Sequence, residues 1–245
     1  MPTIKKTEDG SDTLYSEMAK QTYHSQHGAR TESNYIFINT ALEEYYQQHN
    51  EVQTIRILEI GFGTGLNSLL TQQFAEEKQI KIEYHTIELY PIEESIYSQL
   101  NYAQTPQERE VFERIHSAKW IKQGGKYSNL NSGTEISRHF NIYKYEADII
   151  VQLNHFSTNK DILFNVIYFD AFSPDAQPEL WSSEVFNNIS TISEEGAIIT
   201  TYCAKGDVRR SIIAAGFTTK KLAGPPGKRH ILRGIKEENK KLHYE

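Results

Sequence analysis

Glu59, Gly61, Gly63 and Gly65 stand in the pattern E-x-G-x-G-x-G within LEIGFGTGLN, residues 58–67. Glycines at alternate positions let a backbone turn sharply and come close to a ligand. The nicotinamide fingerprint is G-x-G-x-x-G, which seats a pyrophosphate on a helix N-terminus. Here the position of its third glycine is Leu66. An acid just ahead of the glycines repels a pyrophosphate and suits a cationic ligand. Three further acids recur at the ends of apolar runs: Glu88 after KIEYHTI, Asp148 after IYKYEA, and Asp170 after NVIYF.

Those acids need elements to position them. IRILEI (55–60) reads as a short strand, and LNSLLTQQFAEE (66–77) repeats its apolar residues at helical spacing. KIEYHTIEL is a second strand, followed by a helix at PIEESIYSQLN opened by Pro91 and another at 106–118. Residues 119–138 read as a glycine- and serine-rich irregular excursion. HFNIYKYEAD is a third strand, and DIIVQLNHF a helix or turn. FNVIYFDAF is a fourth, apolar on both sides as a central parallel strand should be. A helix at about 178–192 leads to the fifth strand, GAIITTYC, and DVRRSIIAAG is a helix ending in Gly216. FTTKKLAG and KRHILRGI have only PPG between them, too little for a crossover helix, so they should pair antiparallel. The first fifty residues read as polar turns and then a helix at roughly 38–49. Strands alternating with helices imply a parallel sheet covered on both faces. The expected fold class is therefore α/β, a class I Rossmann-like methyltransferase sheet, mostly parallel, with a C-terminal antiparallel hairpin. Residues 1–50 are expected to form an extension or lid packed on the core, 51–236 the Rossmann-like domain, and 237–245 a charged tail.

In that fold all four acids fall at the C-terminal ends of strands, where open α/β sheets bind ligands. S-adenosylmethionine carries a sulfonium and an ammonium group, which suits such a site. Glu59, Gly61, Gly63, Gly65 and Asn67 are placed near its amino-acid part. Glu88 is placed to accept both ribose hydroxyls, and Asp148 to accept from the adenine amino group. Alone, Glu88 reads equally as a solvated strand end and Asp148 as a helix cap. Asp170 should lie beside the sulfonium methyl, at once a cofactor-binding and a catalytic candidate. Methyl transfer is an in-line displacement, so alignment of the nucleophile is the main requirement. A buried carboxylate suits an amine nucleophile, because it holds the hydrogens and aims the lone pair. Phe172 and Trp181 are placed to pack on a planar base, with core packing an equal reading for Trp181. Cys203 ends the fifth strand and reads as a structural thiol rather than a nucleophile. The nine histidines show no ligand spacing, so no metal is expected.

Composition narrows the classes. The 245 residues are 38% apolar and 24% charged, as in ordinary globular proteins. No stretch approaches the roughly 18 apolar residues of a membrane span, and MPTIKKTEDGSDT lacks the apolar core of a signal peptide. With a single cysteine no intrachain disulfide can form, and a cytoplasmic location is expected. The net charge is −6, but residues 201–245 hold 11 Lys+Arg against 4 Asp+Glu, and the rest 15 against 28. The basic part suits an anionic partner.

With these pieces in place the sequence resembles the methyltransferase domain of the MnmC family, and its stand-alone MnmD-like relatives. The matching stretches are TLYS (13–16), YHSQHGARTESNYIFI (23–38), GFGTGLN (61–67), YFDAFSPDAQPELW (168–181), TTYCAKGDVRRSIIAAGF (200–217) and GPPGKRHILRG (224–234). The resemblance implies S-adenosylmethionine-dependent N-methylation of the 5-aminomethyl group of the wobble (2-thio)uridine in tRNA. It implies methyl transfer without the flavin-dependent oxidase half of bifunctional members, since no second dinucleotide fingerprint is present. The tRNA anticodon stem-loop would then meet Lys205, Arg209, Arg210, Lys228 and Arg229. YHSQHGARTES is expected to form a lid, with His24, Ser25 and Glu32 facing the cofactor or the uridine in unassigned roles. Two other classes stay open: a transferase acting on a small polyamine-like amine, and a non-catalytic RNA-binding protein that keeps the fold.

Overall fold

Five strands rich in β-branched and aromatic residues run side by side and parallel at the centre of the molecule. The structure is a computed structural model that describes residues 2–123, 133–159 and 162–237. The central strands are β4 (Thr54–Ile60), β5 (Lys81–Glu88), β8 (Phe140–Glu146), β9 (Phe164–Phe169) and β10 (Ser193–Thr201). Before them come β1 (Thr3–Lys6), β2 (Asp12–Ser16) and β3 (Gln21–Thr22); β6 (Trp120–Lys122) and β7 (Thr134–Ser137) precede β8; β11 (Phe217–Ala223) and β12 (His230–Lys236) close the chain. The sheet order is β11-β12-β10-β9-β4-β5-β8-β6, with β7 sharing the outer edge of β8.

The terminal pair is an antiparallel hairpin, as the short PPG connection requires. Its second strand, β12, is the one that inserts beside β10, also antiparallel, and leaves β11 at the edge.

Helices cover both faces. On one lie α1 (Ala29–Ser33), a π-helical stretch (Asn34–Glu43) and α2 (Glu44–Gln48), with α3 (Leu66–Lys78), α4 (Glu94–Tyr97) and α5 (Pro106–Ser117). On the other lie α6 (Ile149–Asn159), α7 (Ser183–Thr191) and α8 (Gly206–Ala214). Strand β4 shows the division: Ile55 and Ile57 pack in the core with α3, while Leu58 and Ile60 join the opposite core. The two-residue period of a strand therefore turns Glu59 toward α3. No helix among the described residues is long and apolar enough to cross a membrane.

Four expectations are corrected. The first fifty residues are not merely turns: β1, β2 and β3 form a separate antiparallel sheet. The helix expected from 38 begins at Ala29, and its π-helical middle buries Ile36, Phe37, Ile38, Ala41 and Leu42 at a spacing that a 3.6-residue template reads poorly. The helix expected at 91–101 shrinks to Glu94–Tyr97, and the Arg109 guanidinium takes the carbonyls of Ser98 and Leu100 that follow it. The helix expected at 178–192 is split into a 3₁₀ turn (Pro178–Trp181) and α7, capped by the Ser182 hydroxyl. Of the excursion at 119–138, its ends form β6 and β7, while 124–132 lie outside the described residues, as do 238–245 of the expected tail.

Candidate cofactor and substrate cleft

The loop after β4 closes one side of a cleft of about 270 Å³ at the C-terminal ends of the parallel strands. Gly61, Gly63, Asn67, Glu88, Asp148, Asp170 and Phe172 all line it, so most of the acids expected there do meet. Gly61 has φ +90°, and a Cβ there would stand 2.9 Å from the carbonyl oxygen of Asp170. Only glycine lets the ends of β4 and β9 approach this closely. Gly63 donates its N–H to Glu88 Oε2 at 3.0 Å, and the Tyr90 N–H donates to Glu88 Oε1 at 2.9 Å. Each carboxylate oxygen keeps a further lone pair for a ligand hydroxyl.

Two expected cofactor residues stand back from the cleft. Gly65 is the left-handed residue at the start of α3, and a Cβ there would meet His116 Nε2 at 2.7 Å. Its glycine serves packing behind the loop. Glu59 is fully buried beneath α3, where Oε2 accepts from the Thr86 hydroxyl at 2.7 Å and Oε1 from Asn67 Nδ2 at 3.1 Å. Burial pushes its carboxyl up to about 8 despite those hydrogen bonds. Glu59 therefore reaches the cleft only through Asn67, whose Nδ2 also donates to Asp170 Oδ2 at 2.9 Å.

Asp170 directly follows β9, and its N–H is tied to the Ile60 carbonyl at 3.0 Å. Burial holds its carboxyl well above the usual range, and the charges of Glu32 and Glu59 push the same way. Asp148 lines the cleft and also caps α6, where Oδ1 accepts from the Val151 N–H at 3.1 Å. The helix cap is thus formed by a residue that also faces the cleft. Phe172 presents its ring to the cleft against the edge of Tyr23, centroids 5.0 Å apart. Trp181 does not line the cleft. It is buried against Phe169 and donates Nε1–H to the Phe172 carbonyl at 2.8 Å, so it fixes the loop that carries Phe172. Cys203 is a buried free thiol, its pKa raised by burial, as a structural residue should be.

The opposite wall comes from the N-terminal region. Thr22, Tyr23, His24, Ser25 and Glu32 line it. His24 Nε2 stands 2.8 Å from the Thr64 hydroxyl, and burial lowers the ring to about 4, which keeps it neutral. The Ser25 N–H donates to Glu32 Oε2 at 2.6 Å. Lys228 Nζ pairs with Glu32 Oε1 at 3.1 Å and lies 4.6 Å above the Tyr202 ring. Tyr202 in turn donates its hydroxyl to the Ala171 carbonyl at 2.9 Å. Tyr23, Thr64, Gln177 and Tyr202 were not anticipated. The stretch YHSQHGARTES pointed at this wall without giving its residues roles.

Residues 120–237 match the model of a family described as S-adenosyl-L-methionine-dependent methyltransferase. The chain is 30% identical over 231 residues to the tRNA 5-methylaminomethyl-2-thiouridine biosynthesis bifunctional protein MnmC of Pseudoalteromonas translucida, covering 86% of this chain and 33% of that protein. The protein of the same name from Leptospira borgpetersenii is 27% identical, over 91% of this chain and 33% of its own. The chain carries an S-adenosyl-L-methionine-dependent methyltransferase domain related to MnmC. It spans about a third of the length of those curated relatives. The fold is shared with the crystal structure of MNMC2 from Aquifex aeolicus, at a TM-score of 0.75 and 23% identity, over 96% of this chain and 70% of that one.

The residues of this methyltransferase cleft fit the cofactor. Asn67 Oδ1 is a buried acceptor to which no described residue donates a hydrogen bond. Glu88, Asp148, Asp170 and Glu179 add acid to the same walls, against Lys228 as the lining lysine. Such walls suit a cation that bears N–H and O–H donors. Among the described residues no group of His, Cys, Asp and Glu could hold a metal ion.

The basic residues proposed for RNA separate into three kinds. Lys228 lines the cleft itself. Lys205 is bound to Asp175 at 2.7 Å, Arg210 pairs with Asp207, and Arg209 Nε donates to the Thr219 hydroxyl at 3.1 Å. Arg229 is exposed in the turn between β11 and β12, beside Lys228.

Proposed function

We propose that this cleft moves a methyl group from S-adenosylmethionine to the nitrogen of a 5-aminomethyl group on the wobble (2-thio)uridine of tRNA. The observation that carries the reading is Asp170, half-buried in the cleft and oriented by Asn67 at 2.9 Å. When bound, the cofactor supplies an electrophilic methyl on a sulfonium. Glu88 would hold the ribose hydroxyls, Asp148 the adenine amino group, and Asn67 Oδ1 the ammonium. Asp170 would accept an N–H of the substrate amine and aim its lone pair along the transfer axis. Phe172 would give the uracil ring a face.

The methyl transfer alone is assigned to these residues, with no oxidation of a larger group. Residues 23–33 would act as a lid, held to the loop by the His24–Thr64 contact and to the C-terminal hairpin by Glu32 and Lys228. Residues 1–50 thereby form a functional extension of the Rossmann-like body at 51–236. Arg229, with Lys228 behind it, would face the phosphates of the anticodon stem-loop. A cytoplasmic location agrees with the unpaired Cys203.

A small-molecule amine is the second reading. It is favoured by the pairing of Lys205 and Arg210 with acids of this chain, which leaves less positive surface for RNA. Binding measurements with tRNA at rising salt separate the two. A linear fall in log affinity with log salt supports RNA. Turnover on a polyamine with no tRNA binding supports the small amine.

A further inference from the structure

Glu32 is a buried acid that lines the cleft and is anchored by Ser25 and Lys228. The residue is 7% exposed, yet it lines the cleft together with Asp170. Oε2 is anchored by the Ser25 N–H at 2.6 Å. Oε1 has Lys228 Nζ at 3.1 Å as an ion pair, but no described residue donates an aligned hydrogen bond to it. Lys228 offsets the charge of this oxygen, which keeps a lone pair for a ligand donor. The cleft therefore holds two carboxyl groups, Asp170 set by Asn67, and Glu32 set by Ser25 and Lys228.

We propose that Glu32 is the second acceptor for the nucleophilic amine, so that Glu32 and Asp170 each take one N–H and admit only a primary amine. The inference rests on the methyl-transfer reading above and deepens it. A neutral primary amine has two N–H bonds, one bond to carbon and one lone pair. With both N–H bonds anchored and the carbon fixed by the uracil, the lone pair has a single direction. The N–CH₃ bond forms as the S–CH₃ bond breaks, the sulfonium becomes a neutral thioether, and the amine becomes a secondary ammonium that gives up one proton to solvent. The product amine has one N–H. A second transfer would press its new methyl against one of the two carboxylates and strand that acid without a donor or water. The pair thus stops the reaction at one methyl.

The test gives two tRNAs, one bearing 5-aminomethyluridine and one bearing 5-methylaminomethyluridine, to wild type, Glu32→Gln and Glu32→Ala. Kinetics, nucleoside masses and cofactor affinity are read for each. The isosteric Glu32→Gln should raise KM for the first tRNA about tenfold, from loss of a charged acceptor, with cofactor Kd within about twofold. Glu32→Ala should lose about 10–100-fold in kcat/KM on the first tRNA and gain a dimethylated product from the second. Wild-type kinetics in both variants, with the methylated tRNA still refused, overturn the role of Glu32 and leave the methyl-transfer reading intact. Failure of wild type itself on the first tRNA, with cofactor bound, overturns the substrate reading and this assignment with it.

Discussion

Asn67 Nδ2 donates to Asp170 Oδ2 at 2.9 Å while its other hydrogen goes to Glu59 Oε1 at 3.1 Å, so one amide spans two acids on adjacent strands. Two carboxylate acceptors fix which end of the amide is nitrogen, and Oδ1 must then face away from both. The loop glycines bring this amide to the cleft, and the amide sets the direction of Asp170. Asn67→Ala should leave both acids without their shared donor. We expect a loss of about 1–3 kcal/mol in denaturant unfolding and a fall in turnover of at least about tenfold. Asn67→Asp should be worse for turnover, because a third acid pushes Asp170 further toward its protonated form.

Glu59 gives a pH signature. Its carboxyl is raised from the ordinary 4.5 to about 8. An acid raised on folding contributes stability that is complete below 4.5 and is lost as pH climbs through 8. Glu59→Gln keeps the shape and cannot ionise. Its stability relative to wild type should grow by up to about 1.4 kcal/mol per pH unit across that window, read from unfolding curves without cofactor. A constant difference between pH 5 and pH 9 would contradict the burial of an ionisable Glu59.

The histidines carry the opposite sign. Burial lowers His24 to about 4, and His85 and His116 to about 3. A base depressed on folding contributes stability that is present above its ordinary 6.5 and is lost as pH falls toward the folded value. Wild type should therefore soften below pH 6.5. His24→Gln should soften less, and it should weaken cofactor binding at neutral pH because the contact with Thr64 holds the wall of the cleft.

Trp181 separates packing from recognition. Its Nε1–H holds the Phe172 carbonyl at 2.8 Å, and its ring lies away from the cleft. Trp181→Phe should cost about 1–2 kcal/mol of stability and leave substrate KM within about threefold at a temperature where the variant is folded. Phe172→Ala should do the reverse, raising KM with little loss of stability.

Arg229 and Lys205 test the RNA surface. Lys205 is engaged by Asp175, whereas Arg229 is exposed. Arg229→Ala should weaken tRNA binding and reduce the salt slope by about one unit, while Lys205→Ala should change the slope by less.

Much of this was legible because strand period and glycine spacing are local signals. The five parallel strands and the terminal hairpin followed from apolar runs and from a connection too short for a crossover. Glu88, Asp148 and Asp170 followed from lying at the ends of those runs. Glu59 shows what such reading misses. Its place at a strand end was plain, but alternation within β4 turns it under α3, and only packing reveals that Asn67 stands between it and the cleft. Trp181 stayed open between ligand and core for a similar reason, since a tryptophan near a site looks the same in sequence whichever it faces, and the structure puts it in the core. Glu32 and Lys228 lie 196 positions apart, and no local pattern joins them. Residues 1–50 were expected to pack on the core, but neither their polar composition nor their π-helical spacing says that Glu32 meets Lys228.

The most direct measurement is a single-turnover assay with labelled S-adenosylmethionine and tRNA bearing 5-aminomethyluridine, read by nucleoside mass. The account predicts one methyl on that nucleoside alone with wild type, and none with Asp170→Ala while the cofactor still binds. Cofactor binding without transfer by wild type, or full transfer by Asp170→Ala, would contradict it.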